Sequence, residues 1–144
     1  MDLKYLRDVM YRMDLDKGAY ILDYDIFHYV YNFLRRIVER SGKEVQTILF
    51  TLKGPDTAME NSQDAETAIE LLERAVVTSV RRVDVATRYS NRQFIVVLMD
   101  ANQENGKFVA DRILENLGKM YRGELYFEYD IVKMDGKKII NVNE

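Results

Sequence analysis

The chain contains no cysteine. This excludes disulfides, thiolate nucleophiles and Cys-ligated zinc, and it agrees with a reducing compartment, so the expected location is cytoplasmic. A single histidine, His28, leaves no His pair for zinc or for a general-base relay; it is expected on the outward side of its helix. One proline, Pro55, and seven glycines in 144 residues leave little material for linkers, and there is no low-complexity segment or internal repeat. No apolar run approaches the roughly 18 residues a membrane span needs, and the opening MDLKYLRDVM lacks a signal peptide's apolar core. No membrane partner is expected. The net charge of -3 argues against direct nucleic-acid binding, because phosphate neutralisation takes a concentrated basic face.

What is present suits one globular unit. With 47% apolar residues in 144, a chain of this length buries about two thirds of its unfolded surface. Residues 1–144 are therefore expected to form a single domain, read as a module of a longer protein. Arg81, Arg82, Arg88 and Arg92 form a local basic cluster suited to an acidic partner or a nucleotide, or simply solvated. Asp14 to Gly18 begins like a calcium loop, but glycine stands fifth rather than sixth, so helix capping is the better reading. Tyr20, Tyr24, Tyr29 and Tyr31 crowd the first helix, where packing is one explanation and a homodimer or partner-protein interface the other.

Periodicity orders the elements. Ile26, Phe27, Val30, Phe33, Leu34, Ile37 and Val38 recur at helical spacing between Asp25 and Arg40, with Asp23 or Asp25 as cap and Ser41-Gly42 as stop. Val45 to Leu52 reads as a strand. A second helix is expected over Asp64 to Val80, capped by Ser62 or Asp64, and a β-hairpin over Val83–Tyr89 and Phe94–Met99. A third helix spans Asn102 to Leu117, with Phe108, Val109, Ile113, Leu114 and Leu117 on one side and Gly118 at its end. From Glu124 to Met134, Leu125, Phe127, Tyr129 and Ile131 alternate against polar neighbours, a half-buried strand. A turn at Asp135-Gly136 leads to an edge strand over Lys138–Val142. The order from Val45 is strand, helix, strand, strand, helix, strand. It predicts an α+β, ferredoxin-like fold, an antiparallel central sheet with both crossover helices on one face. The first helix packs alongside or on the other face.

Within the hairpin, RRVDVATRYSNRQFIVVLMD, Arg81 to Asp100, resembles the core of the GGDEF family, the diguanylate cyclases, whose fold is the nucleotidyl cyclase palm. Arg81-Arg82-Val83-Asp84 matches that family's RxxD, Arg88-Tyr89 stands at the family's spacing, and Phe94 matches the last letter of its signature. Element by element the resemblance runs from about Gly18 to Met134. It also locates what is missing. The metal-binding acids of the family fall on Thr51 and Arg92, and its two signature glycines on Ser90 and Asn91, with Gln93 completing the turn. The base-reading acid aligns with Glu66, and the ADxALYxAK pattern does not follow Met134.

The resemblance therefore implies a non-catalytic, degenerate GGDEF-like module of a bacterial signalling protein or transcription regulator, with no cofactor. It implies one alternative: a cyclic di-GMP receptor using the inhibitory-site pattern Arg81, Asp84 and Arg112. Arg81 and Asp84 are equally readable as a plain local ion pair, and the arginines as companions of a helix C-terminus.

Overall fold

The computed structural model describes residues 3–4 and 20–135. Strand β1 (Tyr20–Leu22) precedes helix α1 (Tyr24–Ser41), strand β2 (Val45–Lys53), the single-turn α2 (Asp56–Met59), and helix α3 (Ser62–Ser79). The hairpin β3 (Val85–Ser90) and β4 (Gln93–Met99) follows, then α4 (Gln103–Met120) and β5 (Tyr126–Lys133). The sheet order is β1-β3-β4-β2-β5, with the pairs β3–β4, β4–β2 and β2–β5 antiparallel and β1 parallel to β3. Without β1, this is the expected ferredoxin-like sheet. Strand β1 and helix α2 were too short to leave a periodic signal in the sequence.

Alternation along the strands sends side chains to two cores. Ile48, Phe50 and Leu52 of β2, Phe94, Val96 and Leu98 of β4 and Phe127 of β5 meet Ala68, Ile69, Leu72 and Val76 of α3 and Ala110, Ile113 and Leu117 of α4. The opposite parity, Val45, Val85, Ile95 and Val97, meets Ile26, Phe27, Tyr31 and Val38 of α1. Both crossover helices thus share one face, and α1 takes the other. Tyr129 clips β5 to α4 through its hydroxyl, which donates to Asp111 at 2.7 Å. Burial and then that bond push its pKa up to about 12.

Several boundaries moved, each for a local reason. Helix α3 starts earlier than expected because its cap is Asn61, whose side chain accepts from the backbone N–H groups of Gln63 and Asp64. Asp23 precedes α1 but makes no side-chain cap bond; Asp25 accepts from Ile26 N–H instead. Gly42, at φ 71, ends α1 as expected by donating to the Val38 carbonyl. Gly118 does not end α4, which runs on to Met120. Phe108 points outward, 66% exposed. The apolar face of α4 is instead Gly106, Ala110, Ile113 and Leu117, small residues near its start letting the helix approach the sheet. Strand β3 begins two residues late, at Val85, leaving Asp84 in the preceding turn. His28 is half-buried rather than outward, 3.4 Å from Asn32 Nδ2. The Asp14–Gly18 and Lys138–Val142 expectations lie outside the described residues, as does the side chain of Tyr20.

Candidate functional site

Two regions at opposite ends of β4 carry the residues singled out in the sequence. At its start lies the turn. Ser90 pairs with Gln93 across Asn91 and Arg92, and the ladder slips between Arg88 and Ser90, so Tyr89 is the extra residue of a bulge. Neither Asn91 nor Arg92 takes a positive φ, so the turn needs no glycine; the bulge supplies the twist a mirror-image turn would give. Tyr89 is held by an edge-to-face contact with Tyr24 of α1, centroids 4.6 Å apart.

The sheet brings Thr51 and this turn together. Thr51 pairs with Gln93, and the neighbouring Leu52 N–H donates to the Arg92 carbonyl at 2.8 Å. The Arg92 side chain reaches away to the Met59 carbonyl of α2 at 3.3 Å, bridging the turn and the helix that follow and precede the same sheet end. Nearby, Arg88 forms an ion pair with Glu66 of α3 at 3.0 Å. Burial raises the Glu73 carboxyl above its usual range, with Arg88 lowering it and Glu70 raising it. Among the described residues, no group of three or more His, Asp or Glu side chains stands close enough to hold a metal ion.

At the other end of β4, the RxxD segment closes on itself. Asp84 N–H donates to the Arg81 carbonyl at 3.0 Å, and Arg81 N–H donates back to Asp84 Oδ2 at 2.9 Å. The second carboxylate oxygen accepts from Met99 N–H at 3.0 Å and from Arg81 Nη2 at 3.4 Å, while the same guanidinium donates to the Met99 carbonyl. The geometry explains why. Val85 pairs with Val97, so the residue opposite Met99 would be Val83, but the chain has already turned away. The side chains of Arg81 and Asp84 satisfy both backbone groups of Met99 in place of that missing ladder residue. Asp84 is 1% exposed and the Arg81 side chain 56%.

Arg112 arrives from α4 and donates to the Ser79 carbonyl at the end of α3, while Asn116 donates to the Ser79 hydroxyl at 2.8 Å. Arg81, Asp84 and Arg112 line one cleft of about 310 Å³, together with Asp100, Asn105 and Val109. All three sequence-derived candidates therefore converge. Two contributors were missed. Phe108 lies under the Arg112 guanidinium, 5.7 Å from ring centroid to Cζ; its i, i+4 spacing to Arg112 was the available signal. Asp100, at φ 48, turns the chain from β4 into α4, and an Asp directly after an apolar strand was the clue, since Asp tolerates that conformation better than most residues.

Among the described residues no helix is long and apolar enough to cross a membrane. No protein-family model and no curated protein matches this chain. Solved structures do. The coiled coil and GGDEF domain of DgcB from Caulobacter crescentus, in complex with c-di-GMP, is similar with a TM-score of 0.72 at 11% identity, over 94% of this chain and 76% of that one. A DGC protein from Thermotoga maritima gives a TM-score of 0.59 at 16% identity, over 82% of this chain and 80% of that one. Diguanylate cyclase SiaD from Pseudomonas aeruginosa, in complex with its activator SiaC, gives 0.65 at 11% identity, over 77% of this chain and 46% of that one, about half its length. The architecture is that of the GGDEF domain, a diguanylate cyclase-like palm.

Proposed function

We propose that this chain is a non-catalytic GGDEF-like module that acts by binding or docking rather than by turning over nucleotide. The observation that carries the reading is the pair Thr51 and Arg92, adjacent at the sheet end where the resemblance implies metal-binding acids. Magnesium requires anionic oxygen ligands to offset its dehydration, and a threonine hydroxyl is a poor one. Arg92 brings a positive charge where the second acid would stand and supplies no oxygen ligand from its side chain, which is engaged with the Met59 carbonyl. A divalent cation does not fit this donor set. Glu66 is committed to Arg88, which further supports the reading. Purified chain incubated with GTP and Mg²⁺ is expected to give no cyclic di-GMP by chromatography; turnover dependent on protein concentration would overturn the proposal.

The cleft of Arg81, Asp84 and Arg112 favours a second reading, a receptor for cyclic di-GMP. A guanidinium can donate a fork to guanine O6 and N7, and a carboxylate can accept from guanine N–H groups. Asp84, buried and already bonded to Arg81 and Met99, could accept only by exchanging partners. The exposed guanidinium of Arg81 and that of Arg112 therefore carry most of the recognition. Calorimetric titration is expected to show binding to the unsubstituted chain and its loss in Arg112→Ala and in Arg81→Lys, which keeps charge but not the fork. Absence of heat at high-micromolar ligand would remove this second reading and leave the first.

A further inference from the structure

Helix α1 turns Ile26, Phe27, Tyr31 and Val38 toward the sheet. About a third of a turn around the helix from the centre of that face, at about 100° per residue, Tyr29, Phe33 and Ile37 follow one another four residues apart, 51%, 63% and 37% exposed. Single exposed apolar residues are ordinary on a protein surface, whereas a row on successive turns, two of them aromatic, is a contiguous patch of the kind that marks an interaction site.

The charges beside the row decide what fits it. Asp25 stands exposed in the first turn, Arg36 and Arg40 toward the last. A second α1 laid parallel would set Asp25 against Asp25 and each arginine against its own copy. Laid antiparallel, it sets acid against base at both ends and opposes the two helix dipoles. The apolar row is also self-complementary in that direction, because its outer members lie equally far from Phe33.

We propose that α1 is a self-association surface: two copies of this chain pair antiparallel about a two-fold axis at Phe33, with Tyr29 against the partner's Ile37 and Asp25 against the partner's Arg40. Such an interface is isologous, the commonest closed form. It depends neither on the absence of turnover nor on a ligand in the cleft.

Sedimentation equilibrium of the whole chain from about 5 to about 200 μM is expected to show a monomer–dimer equilibrium. Phe33→Glu is expected to weaken it by about tenfold or more. The exposed position leaves the fold intact, which far-UV circular dichroism and the melting temperature verify, and Ile37→Lys is a second probe of the same row. Asp25→Arg and Arg40→Asp are each expected to weaken the dimer, and the two together to restore it. A chain monomeric throughout, a dimer unmoved by Phe33→Glu and Ile37→Lys, or charge reversals that fail to compensate would each overturn the proposal.

Discussion

Replacing Phe94 by alanine is expected to destabilise the domain by about 3–5 kcal/mol, the range for emptying a buried aromatic site. Phe94 is fully buried and paired across the ladder with Phe50, itself fully buried, in the core that joins the sheet to α3 and α4. Removing the ring costs its transfer from water and leaves a cavity that neighbours on a rigid central strand cannot collapse into. A domain of ordinary stability holds about 5–15 kcal/mol in total, so the loss is a large fraction of the whole. In urea, the midpoint should fall with little change in slope, and Phe94→Leu, which keeps most of the volume, should lose less than about half as much. A loss below about 1 kcal/mol for the alanine variant would contradict the packing described, because exposed sites give changes of that size.

Asp84→Ala is expected to cost about 2–4 kcal/mol and lower the melting temperature by about 10 °C. The buried carboxylate accepts from the N–H groups of Arg81 and Met99, and alanine leaves both donors without a protein partner as well as parting Arg81 from its counter-charge. Asp84→Asn keeps one acceptor oxygen and should fall between alanine and the unsubstituted chain. An unchanged melting temperature in Asp84→Ala would refute the ladder-completing role. This prediction also governs how binding is tested: loss of ligand in Asp84→Ala would follow from damage to the turn, whereas Arg112→Ala, on the far wall of the cleft, reports recognition more directly.

Residues that repeat are legible in the sequence itself. The alternation of Leu125, Phe127, Tyr129 and Ile131 and the helical spacing of Ile26, Phe27, Val30 and Leu34 each reappeared on the expected face. Periodicity fails where contact replaces repetition. Phe108 fits the apolar stripe of α4 by spacing, yet it is displaced from the core because Gly106 and Ala110 bring the helix close to the sheet. Strand β1 is only three residues and is held by its parallel pairing with β3, a long-range fact no local window contains. The convergence of Arg81, Asp84 and Arg112 was legible only through family resemblance. Their mutual reach depends on where α3 stops and how α4 crosses it, and the bonds from Asp84 and Arg81 to Met99 depend on strand register.

Among the described residues, the two edges of the sheet are unequal. Strand β1 is three residues long, whereas β5 has eight, with Tyr126 and Val132 exposed on the part of the sheet that α1 leaves uncovered. Between them stand Glu128 and Asp130. A second β5 approaching antiparallel in the register that pairs Tyr126 with Val132 would bring Glu128 directly against Asp130, twice over, and like charges facing across a ladder are destabilising. The acids act as gatekeepers against strand-to-strand polymerisation. They leave the helical side of the molecule as the surface on which copies can meet without growing into fibres.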